Sequence, residues 1–435
     1  MLKTLQNAFK VKEIRTKLIF TFLMLIVIRL GCQLPVPGVD RNYFSSWFAQ
    51  QTGDTFNFLD AFTGGSFLNM SVFALNITPY ITSSIIMQLL TIAIPKLEEM
   101  QKEGEEGRKK IASITRYVTV GLALIESSAM AIGFGNQGLL SKFNALNVIT
   151  VICALTAGSA FLMWIGEQIT ENGVGNGISI VLTINIISRI PQDFASLYEL
   201  FMKGQGFARA FFAGLLIVII VLITVVLTIV LNGGERRIPV QYAKKIQGRK
   251  TYGGQSSHIP LKVNTGGVIP IIFASSIMQL PVILSSFVQI RNQGWNTFLR
   301  IMSSSNWFKP SSLMPSIGAV IYIVLVIFFA YFYTSITFNP IEIADNMKKS
   351  GGFVPGIRPG KPTSEYLNKI LNYIIFIGAC GLLIVALIPI VCNGVFGAQV
   401  SFGGTSLIIV VSVILETLKQ IESQMLVRNY KGFLN

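Results

Sequence analysis

The chain carries one histidine, His258, and four cysteines, Cys32, Cys153, Cys380 and Cys392. Acid–base catalysis at neutral pH, metal-assisted hydrolysis and thiol chemistry draw on such residues when partners hold them in a protected site. Here the partners are missing. His258 stands in a basic loop sequence with no His-Glu-x-x-His spacing, and it reads as a loop residue. The cysteines lie in or beside apolar runs and are spaced for neither a disulfide framework nor a metal. A serine enzyme inside a membrane needs a histidine at depth, and the apolar runs have none. Arg29 and Glu126 are the only clear ionisable residues in the interiors of those runs. An ion-coupled carrier keeps such groups, because buried charge is retained for function. A lipid-embedded enzyme and an inverted-repeat carrier therefore remain as disfavoured alternatives. No catalytic residue, metal site or cofactor is expected.

What does recur at helical spacing is aliphatic. Ile77 with Ile81, and Ile178 with Leu182, are i,i+4 pairs, each on one helix face. Such residues ordinarily pack or face lipid. A ring of them at a constriction would be a gate that excludes water and ions by dewetting.

The elements that must position these residues are membrane spans. Hydrophobic residues make up 51% of the chain and charged residues 13%, against about 25% charged in soluble proteins. Ten stretches read as spans: Lys17–Leu34, Leu75–Ile94, Ile114–Phe134, Val148–Glu167, Gly177–Ile190, Ala210–Leu231, Gly266–Phe287, Ile317–Tyr333, Ile370–Val391 and Thr405–Leu418. The run Leu18–Leu34 is too long for a removable signal peptide. The fifth stretch holds Thr183, Asn185 and Ser188, so it is either shielded by neighbours or faces water. Before the second stretch, Asn57–Asn69 is amphipathic, carries Asp60 and is broken by Gly64 and Gly65. It is too short and polar to span. Backbone of that kind at membrane depth needs protein or a cavity around it, so it reads either as a short mobile helix beside a cavity or as an exoplasmic loop.

Lysine and arginine fix the orientation. Basic residues crowd the N-terminus (Lys3, Lys10, Lys12), the segment after the second span (Lys96 to Arg116) and the loops 232–265 and 335–368. The opposite side holds few, among them Arg41, Lys142, Arg209 and Lys309. Both termini are expected in the cytoplasm. The stretch Glu98–Glu106 reads as a solvated loop. The two large loops intersperse Ile238, Val240, Phe353, Val354 and Ile357 among their charges, the pattern of ordered loops that dock a partner.

A repeat is visible. Pro79–Leu89, PYITSSIIMQL, matches Pro270–Leu280, PIIFASSIMQL, at seven of eleven positions, including both prolines and Gln88 with Gln279. By the topology above the two spans run in opposite directions, so the chain reads as two inverted five-span halves. Residues 1–190 form the first half and 210–435 the second, with 191–209 as an exoplasmic hinge.

Long strings then match a known family: LPVPGVD at 34–40, FALNITPYITSSIIMQLL at 73–90, EGEEGRKKI at 103–111 and MWIGEQITENGVGNGISI at 163–180. RRIPVQYAKK at 236–245, HIPLKVNTGGVIPIIFASSIMQLP at 258–281, FNPIEIADNMKKSGGFVPGIRPG at 338–360 and FGGTSLIIVV at 402–411 continue it. Along nearly its whole length the chain resembles the SecY family, the channel subunits of bacterial protein translocation. The resemblance implies an all-α polytopic membrane protein, with ten transmembrane helices in two inverted halves around a central hourglass pore. It implies a channel of the cytoplasmic membrane that passes unfolded secretory polypeptides, and releases hydrophobic segments sideways through a lateral gate between spans two and seven. By matching positions, Ile77, Ile81, Ile178, Leu182, Ile272 and Ile409 resemble the pore ring; the family often has isoleucine where Leu182 stands. Asn57–Asn69, with Asp60, Gly64 and Gly65, resembles the plug. Thr82, Gln88 and Leu280 fall at the lateral gate. Arg236, Arg237, Arg249, Lys250 and Arg358 resemble docking positions for a motor or ribosome. Pro239 departs from the family pattern. Implied partners are SecE, SecG, the SecA motor ATPase, the ribosome with its RNA, signal-bearing preproteins and membrane lipids; nucleotide hydrolysis would be the partner's.

Overall fold

The computed structural model describes residues 9–40, 44, 63–136, 138, 140, 143–201, 207–242, 245–247, 250–252, 256–287, 293–308, 314–396 and 405–431. Each of the ten apolar stretches lies on a helix. These are α1 (Lys12–Gly31), α2 (Thr78–Ala93), α4 (Glu105–Asn136), α5 (Ala145–Asn172), α6 (Gly177–Phe201), α7 (Phe207–Gly233), α8 (Ile269–Phe287), α10 (Ile317–Thr337), α12 (Lys361–Phe396) and α13 (Thr405–Lys431). Among the described residues, shorter helices sit between them: α3 (Pro95–Lys102), α9 (Gln293–Met302) and α11 (Pro340–Lys349). Among the described residues, five helices are individually long and apolar enough to cross a bilayer. Helix α7 has almost no burial inside the molecule, with Phe211, Leu215, Leu222 and Val226 exposed. So much apolar surface fits hydrocarbon, not water.

Local chemistry explains the breaks. Pro95 cannot continue the ladder of α2, and Ile94 before it is extended, at φ −111° and ψ 109°. Helix α3 therefore leaves α2 at 100°. The stretch read as a solvated loop is indeed exposed, but much of it is helical. Lys102 donates to Glu98 one turn away at 2.6 Å, and α4 starts at Glu105 with two acids in its first turn, where the helix dipole favours them. The expected hinge 191–209 is also largely helix. Helix α6 runs through Pro191 to Phe201, and α7 begins at Phe207. Packing outweighs the proline, since Leu197 is buried against Ile190, Ile217, Val221 and Leu407.

The repeat carries over into backbone detail. Pro79 and Pro270 are each the second residue of their helices, α2 and α8, and both are buried. Three positions earlier, Asn76 and Gly267 are both left-handed, at φ 52° and 60°. Met87 and Met278 are each 3% exposed. One apolar cluster joins the two halves: Ile85 of α2 is buried with Ile271, Phe273 and Met278 of α8, Val326 of α10, Leu382 of α12 and Ile408 of α13.

Outside the spans the described residues form two small sheets, an addition that helical periodicity does not announce. Strand β1 (Glu235–Tyr242) pairs antiparallel with β4 (Ser256–Lys262), from Glu235 opposite Lys262 to Gln241 opposite Ser256. Strand β5 (Gly352–Phe353), from the other large loop, pairs with Gln241 and Tyr242 on the far edge of β1. Strands β2 (Lys245–Gln247) and β3 (Lys250–Tyr252) form a separate hairpin.

Candidate functional site

The six aliphatic candidates come together in one apolar cluster. Ile77, Leu182 and Ile409 are buried in it, and Ile81, Ile178 and Ile272 pack against it half-buried. They arrive on α2, α6, α8 and α13, so both halves contribute. Ile77 is the N-cap of α2, and its carbonyl accepts from the Ile81 amide at 3.0 Å. Asn176 caps α6: its Oδ1 accepts from the amides of Ile178 and Ser179 at 3.1 and 3.3 Å. The cap fixes the start of the face that presents Ile178 and Leu182. Gly166 of α5 lies against Ile178, where an added Cβ would fall 2.5 Å from Ile178 Cδ1.

Directly beside Ile77 lies a polar node that the sequence reading does not single out. The amide of Asn185 donates to Asn76 Oδ1 at 3.0 Å, and Arg29 donates to Asn185 Oδ1 at 3.4 Å. The hydroxyl of Ser159 donates to the Asn76 carbonyl at 3.1 Å. Asn76 and Asn185 are each 1% exposed. Of the two readings of the fifth stretch, shielding by neighbours describes Asn185. The signal in the sequence is the asparagine of LNITP, polar just before a proline-started helix.

The segment read as the plug is described only in its second part; residues 57–62, Asp60 included, lie outside the described residues. The sequence reads Asn57–Asn69 either as a short mobile helix or as an exoplasmic loop. Among the described residues Thr63 is helical, and turns follow from Gly64 to Ile77 with one isolated bridge at Ser71. Gly64 and Gly65 are left-handed, at φ 66° and 86°, a conformation that ends helices and favours glycine. Gly64 also lies so close to α6 that a Cβ would fall 2.7 Å from the Asn185 carbonyl oxygen.

At the seam, Thr82 is half-buried and donates to its own helix, to the Thr78 carbonyl at 3.1 Å. Gln88 is half-buried, and its Oε1 has no hydrogen-bond partner. Leu280 lies on α8 just before Pro281.

The two basic loops, read separately from the sequence, share one small core. Ile238, Val240 and Leu261 of the first loop are buried with Met347 and Val354 of the second and Leu367 and Ile374 of α12. Alternation along β1 turns Ile238 and Val240 inward, while Arg236 and Arg237 remain exposed on opposite faces. Arg237 donates to Glu235 at 2.7 Å, and this bond and its charge hold the Glu235 carboxyl below the usual carboxylate range. Arg358 is exposed on a turn between left-handed Gly356 and Gly360. Its carbonyl accepts from the buried Thr363 hydroxyl at 2.8 Å, which anchors the turn to α12. Among the described residues no carboxylate lies in ion-pair range of Arg236 or Arg358. Arg249 lies outside the described residues, and Lys250 is on β3. Among the described residues, no cluster of His, Cys, Asp or Glu could hold a metal ion.

A structure described as a protein-conducting channel superposes on 94% of this chain and 92% of its own with a TM-score of 0.63, at 16% identity. Sec61 from a canine ribosome–channel complex matches over 94% and 92% with a TM-score of 0.59, also at 16% identity. The fold is that of a protein-conducting channel, an all-α membrane architecture. The family model for SecY matches residues 71–418. The protein translocase subunit SecY of Streptomyces coelicolor is 43% identical over 449 residues, covering 100% of both chains. That of Mycobacterium tuberculosis is 40% identical over 455 residues, again covering 100% of both. The chain belongs to the SecY family.

Proposed function

We propose that this chain is the channel subunit of a protein translocase in the cytoplasmic membrane, with both termini in the cytoplasm. It passes unfolded secretory polypeptides across the bilayer and releases hydrophobic segments into lipid between α2 and α8. The observation that carries this reading is the cluster of Ile77, Ile81, Ile178, Leu182, Ile272 and Ile409, drawn from both halves of the repeat. Aliphatic side chains at a neck seal it without covalent closure. Water loses hydrogen bonds between such walls, and an ion there is poorly solvated. The same side chains can spread around a passing peptide of any sequence.

The segment 57–69 acts as the plug. Its seat against α6 at Gly64 supports that role, because the glycine permits an approach no other residue could make. Residues 1–190 and 210–435 move as halves about the connection 191–209, and the seam at Thr82, Gln88 and Leu280 opens to lipid. SecE clamps the halves and SecG is accessory. The SecA motor or a ribosome docks on Arg236, Arg237, Arg249, Lys250 and Arg358. Ribosomal RNA would meet these cations with salt-dependent affinity. All covalent chemistry, including nucleotide hydrolysis, belongs to the motor. The test is reconstitution with SecE, SecG, motor and ATP in vesicles. Protease protection of a signal-bearing substrate, lost when the signal is deleted, is the expected result. Substrate left fully accessible would overturn the reading.

A further inference from the structure

We propose that Asn76 and Asn185 are positioning residues that hold the N-terminal half of the aliphatic ring in register, an inference that rests on the ring reading above. Asn76 immediately precedes Ile77, and Asn185 lies one turn beyond Leu182 on the same face of α6. The bond from the Asn185 amide to Asn76 Oδ1 therefore ties the two elements that carry Ile77 and Leu182, close to both. Arg29 of α1 and Ser159 of α5 join the node, each with its own bond, and Cys32 Sγ donates to Asn185 Oδ1 at 3.9 Å. Aliphatic side chains lack directional contacts and cannot set their own register. A buried, satisfied polar network can, because every alternative leaves a polar group without a partner in a dry interior.

The repeat shows which part of Asn76 matters. Its counterpart, Gly267, has the same left-handed backbone at φ 60°, and a Cβ added there would meet nothing within 4 Å. In the second half the conformation is met by glycine, the residue that adopts it most readily. In the first half it is met by asparagine, whose side chain reaches Asn185. The backbone does not require asparagine at 76; the hydrogen bond does.

This separates backbone from side chain. Asn76→Gly keeps the left-handed conformation and removes the acceptor. Asn185→Leu removes the donor, together with the acceptor used by Arg29 and Cys32, while filling the space. Asn76→Asp keeps an acceptor for the Asn185 amide. Ser159→Ala removes only the bond to the Asn76 carbonyl. Each full-length variant is purified with SecE and SecG, checked for parental Tm and monodispersity, and its resting ion conductance measured in planar bilayers. Ile81→Ser with Ile272→Ser is run alongside. The expected result is a several-fold rise in conductance for Asn76→Gly and Asn185→Leu, a smaller rise for Ser159→Ala, and the parental value for Asn76→Asp. If the serine pair leaks while Asn76→Gly and Asn185→Leu do not, the positioning role is overturned and the ring stands. A leak through Asn76→Asp equal to that of Asn76→Gly also overturns it, since the acceptor is then not what matters. If no variant leaks, ring and positioning role fail together. Should Asn76→Gly fail to assemble, Asn185→Leu decides alone by the same comparison.

Discussion

Arg358 shows how a proposed docking charge is presented without being needed by the fold. Its side chain is exposed and unpaired among the described residues, while its carbonyl is pinned by Thr363 and its turn by left-handed Gly356 and Gly360. The backbone is fixed and the charge is left available. Arg358→Glu is predicted to change stability by no more than about 0.5 kcal/mol, as for other exposed sites. It should abolish motor-driven translocation by opposing an acidic partner surface. Vesicle transport assays check this, with SecE co-purification as the control; normal motor-dependent transport would remove Arg358 from the docking surface. The arginine itself was legible in GIRPG. Its pinning was not, because Thr363 reads as an ordinary residue near the start of a helix. Asn76 was opaque for a similar reason: a polar residue in an apolar run reveals burial only when its partner, more than a hundred positions away, is known.

At the scale of elements, apolar runs located the long helices among the described residues, while the sequence reading placed the starts of α2 and α8 three residues early and took most of α3 for a loop. Periodicity missed what packing decides. Helix α6 passes through Pro191 because Leu197 has a buried face to meet. The two loops join through β1 and β5 because Ile238, Val240 and Val354 share a core, a pairing between segments about a hundred residues apart that local pattern cannot reveal. The seam between α2 and α8 carries a prediction of its own. Ile85 of α2 is buried in the apolar cluster that includes Ile271, Phe273 and Met278 of α8, and the hydroxyl of Thr82 bonds to its own helix. Such a seam can part without breaking hydrogen bonds. With the four native cysteines replaced, Thr82→Cys with Leu280→Cys should form a disulfide in the resting channel. The crosslink should stop translocation, and reduction should restore it. Normal transport by the crosslinked form would mean that α2 and α8 do not separate.

For the whole molecule, the proposed orientation rests on charge and the proposed pore on the repeat. The net charge of +15 lies largely in the N-terminus and the loop 232–265, the pattern expected of a cytoplasmic face. Single cysteines replacing Lys245 and Lys349 should be shielded from a membrane-impermeant reagent added outside intact cells, and those replacing Lys142 and Lys309 labelled. Labelling at 245 from outside would invert the topology and the account with it. The two halves repeat the same device at their centre: a left-handed residue, a helix whose second residue is a buried proline, and Ile81 or Ile272 two positions after that proline. The central claim is that these isoleucines, with their four partners, are the seal. Resting ion conductance in planar bilayers tests it most directly, in a background lacking residues 57–69 so that the plug cannot mask a leak. Ile81→Ser with Ile272→Ser is compared with Ile86→Ser and Ile277→Ser, a control pair on the same two helices that includes the 38% exposed Ile277. The account predicts a large, sustained rise for the first pair and the background level for the second; equal conductance would show that Ile81 and Ile272 are packing residues and contradict it.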